Sequence, residues 1–118
     1  MIGHEFDLVI SRDEDRRIIL TLQGDVNAGA AARLETAHTP IDEAGGEAVV
    51  LDFRQVEYIN STGIALIVTL LAKARAADRE VVAYGLSDHY RQIFEITRVS
   101  DFMGIYPDQQ SALRAAHS

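Results

Sequence analysis

Cysteine is absent from this chain of 118 residues, and long apolar runs are absent as well. Without cysteine, disulfide bonds and cysteine-ligated metal sites are excluded. The longest apolar run, Gly63 to Leu71, is interrupted by Thr69 and is far shorter than the roughly 20 residues that cross a bilayer. The first residues, Met1 to Asp7, lack the basic flank and apolar stretch of a signal peptide. We therefore expect a cytoplasmic protein that does not associate with a membrane.

Positive charge is scarce in this sequence. There are 11 Lys and Arg against 18 Asp and Glu, which gives a formal net charge of −7. Because phosphate backbones require a cationic surface, direct binding to nucleic acid is disfavoured, and so is binding to anionic membranes. A length of 118 residues and an apolar fraction of 47% are typical of one compact globular domain, which we expect to span residues 1–118.

The sequence motifs of common enzymes are also missing. There is no G-x-x-x-x-G-K-[ST] phosphate loop, no G-x-G-x-x-G dinucleotide motif and no G-x-S-x-G nucleophile elbow. The four histidines, His4, His38, His89 and His117, lack the spacing of a metal site. We therefore expect no catalytic residue, no metal and no cofactor, and a protein that is not an enzyme.

Apolar patterning predicts an α/β domain. Two alternating runs, Phe6 to Ile10 and Ile18 to Leu22, flank a polar turn and indicate an antiparallel hairpin. Two continuous apolar runs, at 49–53 and 81–85, are typical of strands buried on both faces. Helical spacing between and after them completes the order β-β-α-β-α-β-α-β-α. That order predicts a central mixed β-sheet, with an opening hairpin, then strand–helix alternation, and flanking α-helices.

Several element boundaries can also be predicted. Ala28 to His38 is expected to form one helix, with Asn27 as its N-cap and Pro40 at its end or in a short extension. Arg54-Gln55 is expected to turn the chain after the central strand. Thr62 to Ala77 has the period of an amphipathic helix. The predicted apolar stripe of that helix contains Ile64, Ile67, Val68, Leu71 and Ala74, and it is widened by Leu66 and Leu70.

Between the central strand and this helix lies Asn60-Ser61-Thr62-Gly63. Asn60 or Ser61 could simply cap the helix, since both residue types are common N-caps. Alternatively, the Ser61 hydroxyl is exposed and modified. A phosphate there would be tolerated by its own helix, because helix N-termini bind anions, and it would add about two negative charges to the surrounding surface. The residues alone leave both roles open, and neither excludes the other.

Asp52 lies near the end of the central strand, where α/β sheets often bind ligands. We prefer a structural interpretation, in which the Asp52 carboxylate accepts hydrogen bonds from backbone or hydroxyl donors in the segment that follows.

A family resemblance adds to this reading. The apolar strand 49–53, followed by Val56-Glu57-Tyr58-Ile59-Asn60-Ser61-Thr62-Gly63-Ile64, resembles the signature of STAS domains, and most of all that of bacterial anti-sigma factor antagonists. The family pattern is an apolar strand ending near an acidic residue, a short link, and then Asp-Ser-Ser/Thr-Gly-Leu-Gly. Gln23-Gly24-Asp25-Val26-Asn27 and Tyr84-Gly85-Leu86-Ser87 are similar to further family elements. The resemblance therefore covers nearly the whole chain.

The resemblance implies a STAS-like fold and a partner switch that regulates transcription. In the family, a GHKL-type serine kinase that is also an anti-sigma factor phosphorylates the serine matching Ser61. The unphosphorylated antagonist binds this kinase and frees a sigma factor, the phosphorylated form does not bind, and a phosphatase restores it. ATP and Mg²⁺ belong to the kinase. Ser61 is then the expected phosphoacceptor, and the expected partner-binding residues are Asn27, Asn60, Thr62, Gly63 and Ile64.

The sequence departs from the family pattern at three of these positions. Asn27 and Asn60 stand where the family has aspartates, and Ala65 stands where it has the second glycine. Asparagine keeps the ability to cap a helix but removes a charge, which would alter the choice of partner. Two other functions stay open. One is a non-switching STAS scaffold or accessory module in a larger signalling or transport assembly, and the other is a small-molecule binding protein.

Overall fold

The computed structural model describes residues 4–116, and five strands in that range form one sheet in the order β1-β2-β3-β4-β5. The strands are β1 (Asp7–Arg12), β2 (Ile18–Val26), β3 (Val49–Ile59), β4 (Val81–Tyr84) and β5 (Gly104–Tyr106). β1 pairs antiparallel with β2, and each later pair of neighbours is parallel. The mixed sheet with an opening hairpin, predicted from the apolar pattern, is therefore confirmed.

The helices cover the two faces of the sheet unequally. They are α1 (Ala31–Glu35), α2 (His38–Asp42), α3 (Ser61–Ala76), α4 (Asp88–Ile96) and α5 (Gln109–Ala115), with short 3₁₀ turns at Ala28–Ala30 and Val99–Asp101. The larger core joins one face of the sheet to α1 through α4, as shown by buried Leu51, Ile67 and Phe94. The smaller core joins the other face, with Val50, to Ala112 of α5. Neighbouring residues of β3 thus enter different cores, as the alternation of a strand requires.

The predicted turn at Arg54-Gln55 is wrong, because β3 continues through it to Ile59. Thr21 pairs with Asp52, but Gln23 pairs with Gln55, so β3 holds one more residue than β2 in this interval. Such a bulge bends a strand without ending it. The polar residues that suggest a turn instead occupy the irregular part of a long strand.

The single helix predicted from Ala28 to His38 is also wrong, since the segment divides into a 3₁₀ turn, α1 and α2. Asn27 is nevertheless the cap of the segment, and its side chain accepts a hydrogen bond from the Gly29 N–H. Pro40 lies in the first turn of α2. That position tolerates proline, because N–H groups in a first turn have no partner within the helix.

In α3, the predicted stripe is correct for Ile67, Leu71 and Ala74, which are buried. It is wrong for Val68, whose exposed fraction is 42%. Leu70, which widens the predicted stripe, is buried as well, and so is Gly63. Gly63 is buried because the first turn of α3 closely approaches the end of β2.

Arg79 joins parts of the chain that are distant in sequence. It is buried between α2, the segment before β3 and the start of β4, with an exposed fraction of 4%. Its guanidinium donates to the carbonyl oxygens of Ile41 at 2.8 Å, Glu47 at 2.7 Å, Glu43 at 2.7 Å and Pro40 at 3.3 Å. A buried charge of this kind is tolerated because its donors are satisfied.

Candidate functional site

Ser61 is the first residue of α3 and follows directly after the strand-to-helix junction. Asn60, with extended backbone angles, is the N-cap, and its Oδ1 accepts the Gly63 N–H at 2.8 Å. The sequence allowed either Asn60 or Ser61 as the cap, and the geometry assigns that role to Asn60. Ser61 and Thr62 are both exposed.

The Ser61 hydroxyl does not contribute to the hydrogen bonding of the described fold. Among residues 4–116, no hydrogen bond involves its side chain. It lies at the N-terminus of a helix of 16 residues, where unpaired N–H groups and the helix dipole favour negative charge. A group attached to Ser61 would therefore displace no side-chain hydrogen bond of the described chain.

Asn27 lies beside this junction because Val26, the residue before it, contacts the start of α3. The Asn60 N–H donates to the Val26 carbonyl oxygen at 3.2 Å. A Cβ added at Gly63 would lie only 2.0 Å from the same oxygen, so the first turn of α3 approaches the end of β2 as closely as glycine permits. Asn27 and Asn60 consequently lie near each other at the ends of neighbouring parallel strands.

Both asparagine side chains use their amide oxygen as a hydrogen-bond acceptor. Asn27 Oδ1 accepts the Gly29 N–H at 2.9 Å, as Asn60 Oδ1 accepts the Gly63 N–H. An amide whose oxygen is bonded in this way retains its NH₂ group, a donor, for other contacts. An aspartate in the same cap would offer an acceptor instead.

The other expected site residues differ in accessibility. Thr62 is exposed beside Ser61, whereas Gly63 is buried and Ile64 is half-buried against the larger core. The structure thus brings Asn27, Asn60, Ser61 and Thr62 together at the surface and sets Gly63 and Ile64 behind them. Their contact with a partner stays a prediction.

Tyr90 is a residue of this region that the sequence did not reveal. Its hydroxyl, on α4, accepts the Ile59 N–H at 2.9 Å and so fixes the last residue of β3. Ser87 caps α4 and thereby orients the helix that carries Tyr90. The two bonded residues are 31 positions apart, and no local pattern could have paired them.

Asp52 does not belong to this surface. It is buried, and it accepts hydrogen bonds from the Tyr84 hydroxyl at 2.9 Å, the Arg54 N–H at 2.9 Å and Arg54 Nη2 at 2.8 Å. Burial opposes the charged carboxylate, but the hydrogen bonds from Arg54 and Tyr84 outweigh it and lower the pKa of Asp52. Its donors are a backbone N–H, a hydroxyl and a guanidinium, which confirms the structural interpretation.

Residues 4–116 contain neither a cluster of metal-ligating side chains nor a helix that could span a membrane. No group of three or more His, Cys, Asp or Glu side chains in this range is arranged to hold a metal ion. No helix in it combines the length and the apolar character needed to cross a membrane.

Sequence comparison relates the chain to a known family. The family model described as the STAS domain matches residues 9–112. BtrV of Bordetella bronchiseptica, named as a candidate anti-sigma factor antagonist, is 34% identical over 102 residues, which cover 86% of this chain and 85% of BtrV.

Structural comparison shows the same fold in proteins of distant sequence. The Bacillus cell fate determinant SpoIIAA in its phosphorylated form has a TM-score of 0.71 and 14% identity, covering 92% of this chain and 98% of SpoIIAA. A sulfate transporter family protein from Wolinella succinogenes has a TM-score of 0.74 and 19% identity, covering 88% of this chain and 86% of that protein. At these identities the likeness concerns the fold alone.

Proposed function

The chain belongs to the STAS domain family, and from this premise we propose that it is an anti-sigma factor antagonist that phosphorylation of Ser61 switches off. In its unphosphorylated form it binds an anti-sigma factor that is also a serine kinase of the GHKL type. Binding frees a sigma factor and so regulates sigma-factor-dependent transcription. A phosphatase returns the phosphorylated form to the active one. The antagonist itself catalyses nothing and acts in the cytoplasm.

The different roles of Asn60 and Ser61 at the start of α3 are the main support for this proposal. Asn60 caps α3, so the neighbouring Ser61 hydroxyl is exposed and unbonded among the described residues. A kinase could phosphorylate this hydroxyl without local unfolding of the antagonist. The related proteins also support a phosphorylated antagonist. BtrV is named for this class of protein, and a structure of SpoIIAA is known in the phosphorylated form.

The partner would contact the surface formed by Asn27, Asn60, Ser61 and Thr62, which we call the docking surface. Gly63 and Ile64 would support it from behind, since the first is buried and the second half-buried. Phosphorylation adds about two negative charges at its centre. The helix N-terminus stabilises those charges within the antagonist. On binding, the partner would have to desolvate them, so phosphorylation weakens the complex.

Phosphorylation with a defined kinase tests the assignment. The protein is incubated with Mg²⁺-ATP and the GHKL-type serine kinase encoded nearest to its gene, and the product is mapped by mass spectrometry. We expect one phosphate, on Ser61, and none on the Ser61→Ala variant. Thr62→Ala is the matched control, because Thr62 is the adjacent exposed hydroxyl, and it should still be labelled. Labelling of Thr62 or of another residue in the wild type would contradict the proposal.

Binding and stability can be separated with Ser61→Asp. Because the Ser61 side chain makes no hydrogen bond within the described chain, the thermal unfolding curve should stay near that of the wild type. Binding to the kinase, measured by calorimetry, should fall at least tenfold. A large loss of stability would instead indicate that Ser61 has a structural role.

The likeness to a sulfate transporter family protein favours a second candidate, a non-switching accessory module in a larger assembly. In that case a stable complex of high mass would form equally well with the wild type and with Ser61→Asp. The first candidate requires the two to differ.

A further inference from the structure

The exposed side of α3 is uncharged over most of its length. From Ser61 to Ala72 the helix contains no charged residue, and its first charge is Lys73. A quarter of the whole chain is charged, and the exposed side of a surface helix usually carries much of that charge. Depletion of charged residues is a property of the surfaces that proteins bury against each other. The exposed side of α3 therefore has the composition of an interface.

Four exposed residues align this surface with the phosphoacceptor position. Ser61, Ala65, Val68 and Ala72 are separated by four, three and four residues, so they lie on one face of α3. At a rise of about 1.5 Å per residue, Val68 lies about 10 Å and Ala72 about 16 Å along the helix axis from Ser61. A standard interface covers about 800 Å² of each partner, which is a patch roughly 30 Å across. A partner bound at Ser61 can therefore reach both residues.

This face of α3 ends at a notch beside Phe102, the residue that follows the 3₁₀ turn Val99–Asp101. The notch has a volume of about 260 Å³ and is lined by Val68, Leu71, Ala72, Arg75 and Phe102, and we call it the α3 notch. Phe102 has an exposed fraction of 52%. The Arg75 guanidinium lies over its ring, 5.8 Å from the centroid, which is a cation–π contact that holds the ring beside α3.

The size and the lining of the α3 notch favour an apolar side chain over a free small molecule. Pockets for small molecules usually have volumes of roughly 300–1,000 Å³ and several polar groups that orient the ligand. The α3 notch is smaller, and Arg75 is the one polar side chain among its described lining residues. A side chain that is anchored in a partner protein needs no such polar groups, and apolar anchors in pockets of this kind carry much of the affinity of an interface.

We propose that the anti-sigma factor bound at the docking surface extends along α3 and inserts an apolar side chain into the α3 notch. The inference rests on the proposed function, because its occupant is the partner proposed there. The partner is identified by the continuity of the surface, since no charged residue of α3 interrupts the face between Ser61 and Ala72. The notch then contributes affinity, and Ser61 remains the position at which binding is switched.

Calorimetric titration with the GHKL-type kinase tests the proposal, with ADP in place of ATP so that Ser61 stays unmodified. Val68→Glu places a carboxylate at the notch, where binding would desolvate it, so the dissociation constant should rise at least about tenfold. Val9→Glu is the matched control. Val9 lies on β1, outside the notch, and its exposed fraction of 53% is similar to the 42% of Val68. This variant should bind like the wild type.

Phe102→Ala tests the notch without adding a charge. It removes the aromatic wall, and the dissociation constant should again rise at least about tenfold. Thermal unfolding of both Val68→Glu and Phe102→Ala should stay near that of the wild type, since both side chains are exposed. If Val68→Glu does not fold, Phe102→Ala decides the question alone.

The outcomes separate this inference from the proposed function. If the wild type binds the kinase and the two notch variants bind as tightly, the inference is overturned and the proposed function stands. It is also overturned if Val9→Glu weakens binding as much as Val68→Glu, because added negative charge at any position would then explain the loss. A wild type that does not bind the kinase would refute both.

Discussion

At the scale of single residues, the amide oxygens of the two asparagines near Ser61 already accept hydrogen bonds. Both Asn27 and Asn60 use Oδ1 for a backbone N–H. A partner that contacts these side chains therefore meets NH₂ donors, and it needs carbonyl or carboxylate groups in matching places. In the sequence, asparagine in place of the family's aspartate at these two positions means two lost charges. In the structure, it also means that a hydrogen-bond acceptor is replaced by a donor.

The cap at Asn60 can be tested without a partner. Asn60→Ala removes the acceptor of the Gly63 N–H and should lower the free energy of unfolding by about 1 kcal/mol. Asn60→Asp keeps an acceptor and places a charge where the helix dipole stabilises it, so its stability should match or exceed that of the wild type. Urea denaturation measures both. Equal losses in the two variants would show that the cap is not the source of stability.

The Tyr84 hydroxyl gives a prediction for alkaline pH. Burial, together with the hydrogen bond to the Asp52 carboxylate, raises the pKa of Tyr84 from 10.0 to about 12. Because the folded pKa lies above the ordinary one, neutral Tyr84 contributes stability that is complete below pH 10 and is lost as the pH rises toward 12.

Ultraviolet titration measures this effect directly. The chain has 4 tyrosines, and one of them should ionise late, near pH 12. Tyr84→Phe should remove the late component and leave the others unchanged. A wild type whose tyrosines all ionise together near pH 10 would contradict the buried hydrogen bond.

At the scale of elements, α3 is positioned by the contact of its first turn with β2. A Cβ at Gly63 would meet the Val26 carbonyl oxygen at 2.0 Å. Gly63→Ala should therefore lower the free energy of unfolding by about 2 kcal/mol, although alanine favours a helix by about 1 kcal/mol. Chemical denaturation measures the change.

A control separates packing from helix propensity. Ala65 is exposed in the same helix, so Ala65→Gly should cost only about 1 kcal/mol through propensity. If Gly63→Ala stabilised the protein while Ala65→Gly destabilised it, propensity alone would explain both results. The close approach of α3 to β2 would then be refuted.

The elements also show what could be predicted from the sequence. The order of the five strands and the cap at Asn27 follow from local patterns and are confirmed, whereas the first predicted helix is divided into α1 and α2. The continuation of β3 through Arg54 was not predictable, because the bulge depends on its pairing with β2. The exposure of Val68 and the bond from Ile59 to Tyr90 likewise depend on how distant elements meet. For Ser61, the role of phosphoacceptor stays a prediction, and the geometry assigns the helix cap to its neighbour Asn60.

At the scale of the whole molecule, Arg79 links segments that are distant in sequence. Its guanidinium bonds to carbonyl groups of α2 and of the chain leading to β3. Arg79→Met removes the guanidinium donors of these carbonyl groups, of which that of Ile41 is buried, and should cost about 3 kcal/mol or more. Arg79→Lys should recover only part of this loss, because an ammonium group lacks the planar fork of the guanidinium.

The measurement is the free energy of unfolding in urea for both variants, and Arg91→Ala serves as an exposed control that should change it by less than about 1 kcal/mol. If Arg79→Met were as mild as the control, the carbonyl groups would have to find other donors, and the proposed link between the segments would be refuted.

The contact between Gly63 and the Val26 carbonyl also affects how quickly the surface around Ser61 can respond. Rearrangements of packed elements take microseconds to milliseconds or longer. The first turn of α3 has no space to move toward β2, so a charge placed on Ser61 would alter the surface without a shift of this turn toward the sheet. The delay between modification and response would then equal the lifetime of the bound complex, and the free protein would add none of its own.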